Sequence, residues 1–220
     1  MRSEWLILLG LTLSSCAAEV PGSRVSSLPY YDSKAFTPHW IAPDDVPADF
    51  HRVSDFSLTD QDGQEVTQAD MDGKVTVVDY FFTTCSGICP MLTKNMAVVD
   101  AAFPEEAELL LLSHSATPEK DTVAVLREYA DAKGVDSTRW HLLTGDRSLI
   151  YHLGREVYFV EEDMGEEKGE DDFLHTENLV LIDRQRHIRG VYNGLNQASI
   201  QQLNVDIQTL LDEAPGAAGL

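Results

Sequence analysis

V-T-V-V-D-Y-F-F-T-T-C-S-G-I-C-P-M-L-T-K-N-M, residues 75–96, is the stretch from which the rest of the chain can be read. Val75 to Phe82 is a β-branched and aromatic run of the length and composition expected for a buried strand. Cys85 and Cys89 follow in a short Thr/Ser/Gly loop, and Pro90 pre-sets φ for the first turn of a helix running through Leu92, Met96 and Val99. The order is strand, thiol pair, helix. Thiols at a helix N-terminus feel its unpaired N–H groups and positive dipole end, which favours the thiolate, the form that attacks disulfides and binds metals. A structural bridge closing so short a loop would gain little, so the pair points to reactive sulfur rather than to a staple.

Downstream, Glu108 to Ser113 reads as a leucine-rich buried strand, and Thr122 to Ala132 as a helix with Val123, Val125, Leu126 and Tyr129 on its stripe. Thr138 to Leu143 reads as a further strand, and Asp146 to Val157 as a helix carried by Leu149, Ile150 and Leu153. Leu179–Asp183 and Ile188–Tyr192 flank a turn as a hairpin, and Ile200, Leu203, Ile207 and Leu210 mark a last helix. Upstream, Phe56–Leu58 and Glu65–Thr67 flank an Asp-Gly turn signal at Asp62-Gly63. Strands alternating with helices and ending in a hairpin and a helix predict an α/β sandwich around a mixed sheet, a single domain over residues 53–213 with a short C-terminal tail at 214–220.

Ahead of it, residues 1–15 have a positive Arg2, a short apolar run from Trp5 to Leu13, and Leu13-Ser14-Ser15-Cys16, which resembles a bacterial lipobox. Cleavage there makes Cys16 the lipidated first residue, uses the third cysteine and leaves an even pair. The expectation is an extracytoplasmic, membrane-anchored bacterial lipoprotein in which residues 16–52 form a tether and an extended segment, clamped to the domain by Tyr30, Tyr31, Phe36 and Trp40. Removing the signal takes away one base, Arg2, and one acid, Glu4, so the net charge stays at −21. Such an acidic balance disfavours nucleic acid and anionic surfaces. Glu161–Asp172, with eight acids and one lysine, reads as a solvated insertion loop.

Two thiolates with an imidazole suit copper, Cu(I) above all. The histidines available as third ligand are His39, His51, His114, His141, His152, His175 and His187. His175 precedes the Leu179–Asp183 strand, and His114 follows a strand expected to run parallel to the cysteine strand, so both are placed toward the sulfur end of the sheet.

The motif 79–90 (D-Y-F-F-T-T-C-S-G-I-C-P), with 115–122 (S-A-T-P-E-K-D-T), 140–145 (W-H-L-L-T-G), and His175 ahead of Leu181-Ile182-Asp183, resembles the Sco/SenC copper chaperones over residues 55–211. The resemblance implies a thioredoxin-like three-layer sandwich with an N-terminal hairpin and copper held by Cys85, Cys89 and His175. It further implies delivery to the dinuclear copper site of cytochrome c oxidase, with subunit II or another copper-site protein as recipient. Two departures are Thr117-Pro118, where the family usually has Asp-Pro, and Ser86 in place of a common proline. The competing reading is a membrane-tethered thiol–disulfide oxidoreductase acting on a partner's cysteines, and a thiol reductase is an expected partner under either. No proline occurs between Glu119 and Ala214, so the cis-proline of dithiol oxidoreductases has no counterpart before Leu179, which weakens the rival. A peroxidase of the same fold would use Thr84 beside the thiols, but no arginine is placed to support it.

Overall fold

The computed structural model describes residues 27–161, 174 and 176–213. An N-terminal hairpin, β1 (Ser57–Thr59) and β2 (Glu65–Thr67), leads into the central strand β3 (Val75–Phe81). β3 pairs in parallel with β4 (Leu109–Ser115), which pairs in parallel with β5 (Trp140–Leu143). On its other side β3 pairs antiparallel with β6 (Asn178–Ile182), and β6 with β7 (Ile188–Asn193), so the sheet runs β5-β4-β3-β6-β7. Helices α1 (Cys89–Ala102), α2 (Val123–Lys133) and α4 (Gln197–Asp212) cover one face; α3 (Arg147–His152), a π turn at Leu153–Val157 and the hairpin cover the other. This is the expected three-layer mixed α/β sandwich.

A sheet covered on both faces buries side chains at every position, and all seven residues of β3 and of β4 are buried, mostly apolar but with Thr76, Asp79, Ser113, His114 and Ser115 among them. Alternation decides which layer each side chain joins. Val75, Val77 and Phe81 enter the core under α1 and α4, and Val78 and Tyr80 enter the core under α3. Asp79, in register with the first set, therefore points toward α1. Side-chain caps start the helices that flank the site: Thr122 accepts the Val125 N–H, Asp146 the Leu149 N–H, and Asn196 the Ala198 and Ser199 N–H groups.

The segment before the hairpin packs on the domain. Tyr30 and Tyr31 form bridges with His39 and Ile188, and Phe36 meets Tyr31 and Phe159 edge to face. Trp40 takes no part in the clamp and is 64 % exposed. The stronger fastener is Arg189 of β7. Its guanidinium lies 4.0 Å over the Tyr30 ring, donates to the Leu28 and Pro29 carbonyls, and pairs with Asp183 and Glu213 at 3.1 Å. One buried cation thereby ties both ends of the described domain to the sheet.

Three boundaries differ from expectation. β4 continues through Ser115, so His114 lies within the strand, because pairing with Tyr80 and Phe81 of β3 holds the polar H-S pair in register. β5 begins at Trp140 rather than Thr138, whose hydroxyl and N–H both go to Asp136 in a turn. The expected helix 146–157 widens at Leu153 into a π turn, which brings Gly154 against Tyr80 and Leu174. Cys16, His175 and the acidic run 162–172 lie outside the described residues.

Candidate metal centre

Strand β3 ends at Phe81, and a tight turn with the Cys85 N–H on the Phe82 carbonyl (3.2 Å) lifts Cys85 to the surface. Cys89 is the first residue of α1, only 4 % exposed, with Pro90 in the first turn. Both are free thiols within hydrogen-bond reach of each other. α1 opens without a capping side chain, so its first N–H groups need an acceptor. They find the Cys85 sulfur. Burial raises the Cys85 thiol, but hydrogen bonds from the Cys89 thiol and from the N–H groups of Cys89, Gly87 and Ile88 outweigh it and leave Cys85 below the ordinary thiol range.

Cys89 moves the other way, pushed up to about 12 by burial first, then by its hydrogen bond to Cys85 and by the charges of Cys85 and Asp79. The pair is asymmetric: an outer sulfur that gives up its proton more readily than an ordinary thiol and an inner one that holds its proton. Beneath them Asp79 is buried, and burial raises its carboxyl to about 7, with a bond from Ser113 pulling weakly the other way. Ser113 in turn accepts the Trp140 indole N–H at 2.9 Å. Tyr129 of α2 closes the layer over Phe81 (ring centroids 5.4 Å apart), with its hydroxyl 2.9 Å from Thr93. Sequence reasoning quoted Asp79 within the motif without giving it a role; a lone carboxylate in an apolar strand was the available signal.

The thiols border a pocket of about 280 Å³ at the C-terminal end of β3, which Tyr80, Phe81, Ala116, Leu174 and Thr176 also line. Leu174 and Thr176 are the two neighbours of His175. They are held firmly: Leu174 is 2 % exposed and packs on Gly154, while Thr176 Oγ1 and Asn178 Nδ2 both donate to the Val160 carbonyl, at 2.7 and 2.9 Å. Phe159, just before that carbonyl, has φ +54°, a left-handed conformation costly for an aromatic residue. No third His, Cys, Asp or Glu converges on the two thiols among the described residues.

The other six histidines are engaged elsewhere or lie away from the sulfur. His114 is enclosed on the far face of the sheet, stacked on Tyr80 at 5.0 Å and edge-on to Tyr158 and Phe56, and burial pushes its imidazole down to about 3. His141 bonds Asp60 at 2.9 Å, His51 the Val157 carbonyl at 2.8 Å, and His39 pairs with Asp32 and His187 with Asp183. His152 ends α3 and is exposed. His114 does lie at the sulfur end of the sheet, in register with the pocket-lining Tyr80, but strand alternation puts its ring in the opposite layer.

A thioredoxin-like sandwich with a Cys-x-x-x-Cys-Pro pair at the head of its first long helix defines a class of thiol proteins with a paired-cysteine site. Within it, the SCO1/SenC family model matches residues 45–212, and the chain belongs to that family. It is 25 % identical over 161 residues to the SCO1 protein homolog of Bacillus subtilis, covering 72 % of this chain and 82 % of that one. Among solved structures it is similar to BsSco, a Sco family cytochrome c oxidase assembly protein with a disulfide switch (TM-score 0.63, 24 % identity, 74 % of this chain and 95 % of that one). It is also similar to Arabidopsis thaliana ScoI with copper bound (TM-score 0.52, 25 % identity, 72 % and 97 %).

Proposed function

We propose that this chain takes up copper through Cys85, Cys89 and His175 and delivers it for assembly of the dinuclear copper site of cytochrome c oxidase, with subunit II as recipient. The observation that carries the reading is that both thiols and both neighbours of His175 border one pocket. Two soft donors in an apolar hollow fit a soft cation, and an imidazole from position 175 completes a three-donor set. Cargo enters at Cys85, the half-buried outer thiol whose pKa is lowered; seating it fully displaces the proton of Cys89, so uptake releases protons and tightens as pH rises toward the titration of Cys89. Oxidation to a disulfide removes both sulfur donors and shuts the site. Lipidation at Cys16 holds the protein on the outer face of a bacterial membrane, within reach of a membrane-bound recipient.

The rival, a tethered thiol–disulfide oxidoreductase, draws support from the same asymmetry, since a low outer thiol and a high inner one is the arrangement for attack by one sulfur and resolution by the other. The two readings separate at His175. His175→Ala should lower copper affinity by orders of magnitude and leave disulfide formation and reduction intact; copper retained at parental affinity would favour the oxidoreductase.

A further inference from the structure

Asp121 lies in the loop between β4 and α2 and is fully buried. Its carboxylate draws three segments together. It accepts the Thr83 N–H at 3.3 Å and the Thr83 hydroxyl at 2.5 Å, the Ser115 hydroxyl at 2.5 Å from the end of β4, and the Thr117 hydroxyl at 3.1 Å from its own loop. No ion pair offsets its charge among the described residues. A buried charge without a counter-ion is costly, and these four donors are what the fold supplies in exchange. Three hydroxyls and an amide N–H aimed at one point call for a side chain that only accepts, which a carboxylate does and a carboxamide does not.

The Thr83 contacts set Asp121 apart from an ordinary loop fastener. Thr83 is the second residue of the Phe82–Cys85 turn, and both its main chain and its side chain are held by Asp121. Cys85 can take the N–H groups at the start of α1, and lie within reach of Cys89, only while that turn keeps its shape. On the other side of Cys85, Gly87 donates its N–H to the sulfur but has no side chain to brace the loop; a Cβ there would stand 3.8 Å from the sulfur. Side-chain bracing of the turn therefore comes from the Thr83 side.

We propose that Asp121 is a positioning residue for the thiol pair: by pinning Thr83 it fixes the turn that presents Cys85, and so sets the equilibrium between the dithiol and the disulfide. The inference rests on reading Cys85 and Cys89 as the functional pair, and it holds whether the pair's work is copper loading or disulfide exchange. With glutathione disulfide as oxidant, Cys85 attacks and releases one glutathione thiolate; Cys89 then attacks the mixed disulfide and releases the second. The Sγ–Sγ bond forms as the glutathione S–S bond breaks, and two electrons and two protons pass to glutathione. Loosening the turn lowers the effective concentration of one thiol at the other and disfavours the closed form.

The test is the equilibrium constant of the full chain in glutathione buffers, for the parent, Asp121→Asn, Thr83→Val and Thr117→Val. Each threonine variant removes one hydroxyl from the same carboxylate, so their structural costs match, but only Thr83 belongs to the thiol turn. Asp121→Asn is expected to lower the constant about tenfold, ~30 mV for a two-electron couple, with Thr83→Val smaller in the same direction and Thr117→Val unchanged. Equal shifts for the two threonine variants, or no shift for Thr83→Val, would overturn the proposal. Should Asp121→Asn not fold, the threonine pair still decides. Failure of the parent to bind copper would strike the proposed function alone, because this readout needs no metal.

Discussion

Asp79→Asn should make the protein more stable, and more so at higher pH. Burial holds the Asp79 carboxyl near 7 in the fold against 3.8 unperturbed. Below about pH 4 both folded and unfolded chains keep the proton, so Asp and Asn are nearly equivalent. Between there and pH 7 the unfolded chain releases its proton while the folded chain retains it, so stability falls as pH rises. Above 7 the penalty is complete: about three pKa units at 1.36 kcal/mol each, roughly 4 kcal/mol. Asparagine keeps the shape and the Ser113 contact and never carries the charge. The gain of Asp79→Asn over the parent should thus grow from near zero at pH 4 to a few kcal/mol at pH 8, read as urea midpoints of the reduced, metal-free chain with the slope unchanged. Taking the difference at each pH cancels His114 and every other titrating group common to both. The same change should lower the Cys89 thiol, since Asp79 is one of the charges holding it up. A pH-independent difference, or a variant less stable than the parent at pH 8, would refute the assignment of a buried, protonation-linked carboxylate beneath the thiols.

Gly154→Ala places a Cβ 2.6 Å from Leu174 and 3.1 Å from the Tyr80 ring, so it should cost about 1–3 kcal/mol of stability and weaken copper binding while thiol cycling continues, checked by denaturation and metal titration. His114→Phe should leave copper affinity unchanged and improve acid resistance: the native imidazole is held near 3, so the unfolded chain gains a proton below about 6.5 that the folded chain refuses, and the parent loses stability as pH falls through that window. Arg189→Met strands Asp183 and Glu213 and should cost about 3–5 kcal/mol, with early proteolysis at the N-terminal segment as the visible sign. Cys16→Ser should move the protein from the membrane fraction to the soluble one; unchanged retention would reject the lipid anchor.

Most of the sheet was legible because its strands are apolar on both faces. Val75–Phe81 and the leucines of 109–112 announce themselves as near-continuous runs, and Cys85, Cys89 and Pro90 announce the helix that follows. What the sequence hid depends on contacts between distant residues. His114 could be placed at the end of its strand, but nothing local reveals that Tyr80, Tyr158 and Phe56 close around it. The sequence marks Asp121 only as part of the 115–122 motif, and its role as a buried acceptor depends on Thr83, 38 residues earlier. Arg189 joins Leu28 across a separation of 161 residues, so no local pattern marks it. Trp40 shows the converse: an aromatic among prolines invites a packing role, yet the clamp closes through Tyr30, Tyr31 and Phe36 without it.

The most direct test of the account is copper stoichiometry measured on the same full chain as dithiol, as disulfide and as the His175→Ala variant, with His114→Ala beside them. The account predicts one copper per reduced chain, none per oxidised chain, recovery on re-reduction, a loss of affinity by orders of magnitude with an altered Cu(II) absorption and spin-resonance spectrum for His175→Ala, and parental binding for His114→Ala. Full copper retention by the disulfide form, or by His175→Ala with an unchanged spectrum, would contradict it.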